Sequence, residues 1–185
     1  MFESTRRLLL FSCLAVAGLV LSHPTLAAST EEINAKSQQA LQTLYGESSA
    51  AQDLGADAHG ILIFPEITKG GFIVGGEYGE GELQMDGQVQ GYYSSASGSI
   101  GLQLGLSSRS LVIMFLDEGA LSKFLKDDDG WEVGVDADVT VVQIGATGSF
   151  DSTTVDKPVV AFNFGEKGLM AGVSIEGTKV SKIEP

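Results

Sequence analysis

Cysteine is nearly absent: Cys13 is the only one in 185 residues. It lies in an N-terminal apolar stretch, so residues 28–185 contain no disulfide, thiol nucleophile or thiolate metal site. Histidine is equally sparse. Beyond residue 27 only His59 is left, which removes any His-based triad or His-pair metal site. Basic residues are also few, with 11 Lys and Arg against 24 Asp and Glu and a formal net charge of −13. Such a surface repels nucleic acid and anionic lipid at long range, which argues against a nucleic-acid partner. Proline is scarce at 4 residues, whereas glycine is abundant at 24, a balance that suits bent and closely packed strands.

The first 27 residues read as a signal peptide. Arg6 and Arg7 form a positive start, Leu8 to Leu21 an apolar stretch, and Thr25-Leu26-Ala27 a small-residue cleavage pattern. The apolar run is short for a transmembrane anchor and stops at a Ser-His-Pro break. A lipoprotein box at Cys13 is less favoured, because Phe11 stands where a small residue is usual, and little beyond the arginine pair suits a twin-arginine signal. The expectation is an exported protein, periplasmic or secreted and able to sit peripherally on a membrane. Cleavage after Ala27 would leave 9 basic and 23 acidic residues, a net −14.

Ser29 to Glu32 is a Ser-x-x-Glu capping box, and Ile33, Ser37, Ala40, Leu41 and Leu44 follow at helical spacing. A second cap at Ser49 starts a short helix near Ala50 to Ala58. The period then changes. Gly60-Ile-Leu-Ile-Phe64-Pro65 predicts a buried strand ended by proline, and Lys69 to Gly81 a Gly-rich strand. Met85-Asp86-Gly87-Gln88 is a hairpin turn, and Val89 to Ser95 the returning strand. Ile100, Leu102, Leu104 and Leu106 alternate with small residues as a half-buried strand. After a break at Ser107–Ser110, Leu111 to Leu116 is continuously apolar and suits a central strand covered on both faces. These two runs predict a central hairpin.

Asp117 caps a short helix through Leu121, Phe124 and Leu125. Asp127-Asp-Asp-Gly130 resembles a calcium loop only until its register is tested. With Gly130 sixth, Leu125 would be the first ligand and Asp136 the last, which makes a turn the better reading. Trp131, Val133, Val135, Ala137, Val139 and Val141 alternate with polar residues as one long strand. A polar loop from Phe150 to Lys157 precedes strands at Pro158–Phe164, Leu169–Ile175 and Val180–Ile183. The fold class is α+β: a Gly-rich, mostly antiparallel sheet or sandwich with an N-terminal helical pair and one short internal helix.

Several separated motifs carry a resemblance. Gly168-Leu-Met-Ala-Gly-Val-Ser-Ile-Glu-Gly177 resembles the closing signature of the SYLF domain family. Gly60-Ile-Leu-Ile-Phe-Pro65, Gly71-Phe-Ile-Val-Gly-Gly76, Ser99-Ile-Gly-Leu-Gln-Leu-Gly105 and Gly130-Trp-Glu-Val-Gly-Val135 follow in the family's order. The resemblance makes residues 28–185 a single SYLF-like lipid-binding domain, associated in eukaryotic members with phosphoinositides and in fungi with actin. It implies a non-catalytic module that takes a phospholipid or membrane surface as partner and needs no cofactor or metal. Actin is not expected in an exported context, and a protein partner is unknown.

The candidate lipid contacts are Lys69 and Arg109, the basic residues of the Gly-rich motifs, which suit a phosphate headgroup, and Tyr92, Tyr93 and Trp131, which suit an interface or a core. His59 reads as structural, and Glu80 with Glu82 as a solvated pair on one strand face rather than hydrolase acids. The alternative function is a small outer-membrane β-barrel or a structural envelope protein. The opening helices, the non-alternating run at Leu111–Leu116 and the Ile-Glu-Pro end weigh against a barrel.

Overall fold

A computed structural model describes residues 28–71, 74–100, 107–127, 129–142, 157–165, 168–169 and 174–185. The leader expected over residues 1–27, the alternating run from Gly101 to Leu106 and most of the polar loop ending at Lys157 lie outside these. So do residues 170–173 of the closing signature.

The helical pair forms where its caps place it. Helix α1, Thr30–Glu47, starts with Ser29 Oγ accepting from the Glu32 N–H. Helix α2, Ser49–Asp57, starts one residue earlier than the sequence suggests, because the Ser48 hydroxyl rather than Ser49 accepts from the Ala51 N–H at 3.1 Å. Strand β1 spans Gly60–Gly71, β2 Val74–Met85, β3 Gln88–Ile100 and β4 Ser107–Phe115. Asp86 and Gly87, with φ of 50° and 72°, make the two-residue hairpin turn between β2 and β3. Helix α3, Glu118–Lys126, is capped by Asp117, whose carboxylate accepts from the Ala120 N–H at 2.9 Å. The remaining strands are β5 (Trp131–Glu132), β6 (Val139–Val142), β7 (Val159–Gly165), β8 (Gly168–Leu169) and β9 (Lys179–Ile183).

They build a single curled sheet in the order β5-β9-β3-β2-β1-β4-β7-β6, with β8 paired to β7. All pairings between strands are antiparallel except β6 with β7. The α+β class therefore holds, as one sheet rather than a sandwich.

The curl follows from the connectivity. β5 and β6 stand at opposite ends of the strand order, yet only residues 133–138 join them. That link spans at most about 25 Å, so the sheet must bend until its edges approach. The single long strand expected from Trp131 to Val141 is thus divided. Val133 and Ala137 pair as an isolated bridge around a turn at residues 134–136, and the Asp136 carboxylate accepts from the Glu132 N–H at 2.6 Å. Alternation alone does not reveal a turn whose flanks keep the same phase.

Two further expectations are corrected. Pro65 does not end β1. The strand passes it through a bulge, with register shifts between Ile63 and Glu66 against β2 and between Phe64 and Ile67 against β4. The central hairpin is not formed either: β3 and β4 are separated by β2 and β1, and Ser107–Ser110 is part of β4 rather than a break. The run from Leu111 is a strand, but its neighbours on the two sides are β1 and β7.

Leu111 to Phe115 are all fully buried, as a strand covered on both faces must be. Leu111, Ile113 and Phe115 face the inside of the curl with Leu62, Phe64, Leu83, Val159 and Ala161. Val112 and Met114 face outward with Ile63, Val160 and Phe162, where Ala40 and Leu44 of α1 and Ala51 and Leu54 of α2 cover them. Leu121 and Phe124 of α3 join the inner core near Gly60 and Phe115 and close that end of the curl. No helix among the described residues is long and apolar enough to cross a membrane.

Candidate functional site

The inner face changes character along its length. Near α3 it is aromatic: Phe124 lies 5.0 Å from Tyr93, 5.1 Å from Phe115 and 5.5 Å from Trp131 between ring centroids. Toward the opposite end, where β1 gives way to β2, it becomes polar. Lys69 pairs across the strands with Glu77, and Ile67 of the same strand face pairs with Arg109. Arg109 is buried, and its Nε and Nη2 donate to Glu77 Oε2 at 3.1 and 2.6 Å while Nη1 donates to Asn163 Oδ1 at 2.8 Å. The Lys69 ammonium stands 3.7 Å from Glu77 Oε1 and is a quarter exposed. One carboxylate therefore faces two cations, and the ring has a net charge of +1.

A groove follows α1 on the outer face. One part, of about 460 Å³, lies between Lys36, Gln39, Ala40 and Thr43 of α1 and Pro65, Ser108, Ser110 and Phe164 of the sheet. A second, of about 550 Å³, lies between Ser29, Glu32 and Ile33 and the residues Thr68, Tyr78, Gly79 and Glu80. Lys36 and Glu66 line both and bridge them at 3.1 Å, while Lys36 also meets Glu32 at 2.8 Å. Hydrogen bonds from Lys36 first to Glu32 and then to Glu66 raise its pKa. Half-exposed Tyr78 donates its hydroxyl proton to Glu80 Oε1 at 2.9 Å.

Beneath the N-terminal part of α1 lies a second polar cluster. Glu82 is fully buried and accepts from Gln84 Nε2 at 2.5 Å. Asn34 turns its amide nitrogen to Glu82 Oε2 at 2.5 Å, with Tyr92 Oη and the Thr30 carbonyl each 3.0 Å from that nitrogen. This orientation gives the carboxylate a donor instead of a second acceptor. Burial raises the Glu82 pKa, and the Gln84 hydrogen bond only partly opposes it.

Of the five sequence candidates, Lys69 and Arg109 are brought together, but both lie within strands and share Glu77. Tyr92 is half-buried beside Asn34. Tyr93 and Trp131 are core residues, 8% and 2% exposed, because the curl turns both toward α3. Their burial removes them from any surface contact. His59 is exposed and uses its backbone N–H to reach the Phe115 carbonyl at 2.9 Å. Glu80 and Glu82 share a strand face as expected, but Glu82 is not solvated. Sequence reasoning missed Glu77 and Asn163. The Lys69–Glu77 pairing was hidden by reading Lys69 to Gly81 as one strand, which the structure divides between β1 and β2, and Asn163 lies in an apolar run with no cue to its partner. Among the described residues, no group of three or more His, Cys, Asp or Glu is placed to hold a metal ion.

Residues 96–184, from β3 through β9, match the family model Ysc84, described as Las17-binding protein actin regulator. This match over residues 96–184 agrees with the SYLF resemblance of the motifs. No curated protein matches it.

Proposed function

We propose that this chain is an exported, non-catalytic lipid-binding module that docks on a phospholipid surface mainly through apolar contact. The SYLF match of residues 96–184 carries this reading, through the lipid binding that the family resemblance implies. Charge decides the mechanism. A chain of net −13 gains nothing from bulk attraction to an anionic bilayer. Glu77 neutralises Arg109, which leaves Lys69 as the outward steering charge of the ring. One basic residue near an anionic surface contributes about 1 kcal/mol, roughly a fivefold gain in affinity. Apolar insertion must supply the rest. The actin-regulating role in the family's description is not proposed here, since an exported protein does not meet actin.

An outer-membrane barrel would need an apolar exterior facing lipid and a polar or water-filled interior. In this sheet the inner face holds the larger apolar core and helices α1 and α2 cover part of the outer face, which favours the module.

The test is flotation of residues 28–185, which contain every described element, with neutral and anionic vesicles at low and high salt. Binding to vesicles that high salt weakens only slightly is expected. Absence of flotation with every lipid removes the lipid reading. Abolition by moderate salt keeps lipid and refutes the apolar mechanism.

A further inference from the structure

The polar ring at the β1–β2 end of the inner face is incompletely satisfied. Asn163 is fully buried, and its Oδ1 is fixed as an acceptor by Arg109 Nη1. Among the described residues its Nδ2 has no hydrogen-bond partner. Buried donors are almost always paired, so an orphan beside a buried cation points to an acceptor that arrives from outside. Charge gives the same indication independently. Lys69 and Arg109 face the single carboxylate of Glu77, and the Lys69 ammonium is only loosely held at 3.7 Å. A positive residue of charge is thus concentrated in one spot of a strongly acidic chain. Two positions further along the same strand faces, Gly75 and Gly165 carry no side chain.

We propose that the ring formed by Lys69, Glu77, Arg109 and Asn163 is a receptor for one singly charged phosphate oxyanion. The ligand is a phosphate ester of a lipid headgroup or free phosphate. Its oxygen accepts from Asn163 Nδ2, and its charge neutralises the ring, with Lys69 as the accessible counter-ion. Glu77 holds the guanidinium in place and sets the limit of one negative charge. Where the phosphate belongs to a lipid, the inference rests on the lipid-binding reading above.

Asn163→Asp is the decisive variant. It keeps an Oδ1 acceptor for Arg109, replaces the orphan donor with a second carboxylate oxygen and cancels the excess charge. Thermal melting of residues 28–185 in sodium phosphate is compared with sodium chloride of equal ionic strength. The same proteins are floated with phosphatidylcholine vesicles with and without phosphatidylglycerol. General exclusion of phosphate from protein surfaces acts equally on parent and variant, so the difference between them isolates the site. The parent is expected to gain a saturable rise in melting midpoint with phosphate. Asn163→Asp should lose about tenfold or more in phosphate affinity, as deletion of a charge-assisted hydrogen bond implies. Lys69→Gln, at a partly exposed side chain, makes the same comparison if Asn163→Asp does not fold.

Loss in the variant of both the phosphate shift and the gain in flotation that phosphatidylglycerol confers supports the site with a lipid source. A phosphate shift in the parent alone, with no vesicle floated by either protein, supports the site for free phosphate and removes the lipid reading. Equal phosphate responses and equal flotation in parent and variant overturn the site, make the ring a structural ion pair and leave the lipid reading standing.

Discussion

Gly81→Ala is the sharpest test of how β1 and β2 approach one another. A Cβ at Gly81 would lie 2.0 Å from the Ile63 carbonyl oxygen, 2.7 Å from Phe64 Cδ1 and 2.9 Å from the Ile63 carbonyl carbon. Two of these are backbone atoms in the middle of the sheet, at the start of the bulge that lets β1 pass Pro65, so no side-chain rotation relieves the contact. Overpacking that forces backbone shifts costs about 1–3 kcal/mol and sometimes more. Replacing glycine by alanine returns about 0.4–1 kcal/mol through the unfolded chain. With a clash this close, the upper end applies and the net loss is about 2–3 kcal/mol. For a domain of this size that lowers the melting midpoint by about 5–10 °C, which circular dichroism measures directly. Gly46→Ala is the internal comparison. Gly46 lies in α1 with nothing within 4 Å of the added Cβ, so the substitution should raise stability by up to about 1 kcal/mol. Equal midpoints for parent and Gly81→Ala would refute the close approach and the placement of the bulge.

Two other substitutions probe the core and the cluster beneath α1. Ile113→Asp puts an unpaired charge on the inner face of β4, where Ile113 is fully buried, and should cost several kcal/mol of a total of about 5–15, leaving little soluble folded protein. A soluble variant melting with the parent would show that the core is misplaced. Glu82→Gln tests the buried carboxyl through pH. Its pKa is raised in the fold, so its contribution to stability is complete below the unfolded value and is lost as pH rises through the folded one. The variant should therefore melt above the parent at neutral pH, with the gap closing toward about pH 4, and a gap independent of pH would refute the assignment.

Most elements were legible because they obey local rules. Ser29 and Asp117 name their helices, Asp86-Gly87 specifies a two-residue turn, and the run from Leu111 to Phe115 declares a strand covered on both sides. What escaped is not local. Strand neighbours are chosen by the whole sheet, so the hairpin inferred from adjacency in sequence gave way to a layout with β1 and β2 in the middle. Pro65 reads as a stop because proline lacks a ladder donor, and only the register shifts on both sides show how the strand continues. For the site, Lys69 and Arg109 stood out as the basic residues of Gly-rich segments. Their burial and shared partner depend on Glu77 and Asn163, brought from β2 and β7 by pairings that no periodicity encodes.

The strand order also fixes a sequence of assembly. β1, β2 and β3 follow one another in the chain and pair in that order, so they form a meander with short connections. β4 then adds to the free side of β1, and β7 adds to β4. β9, which follows every other strand in the chain, must return to β3, and β5 can find its place only against β9. The slowest pairing is thus the one with the longest reach: Tyr92 meets Ile183 only after all the intervening chain is made. Until then the outer side of β3 is an unpaired strand edge of the kind that recruits other chains. Pairing of Lys179–Ile183 acts as the latch of the sheet, and a chain shortened before Lys179 would carry that open edge permanently.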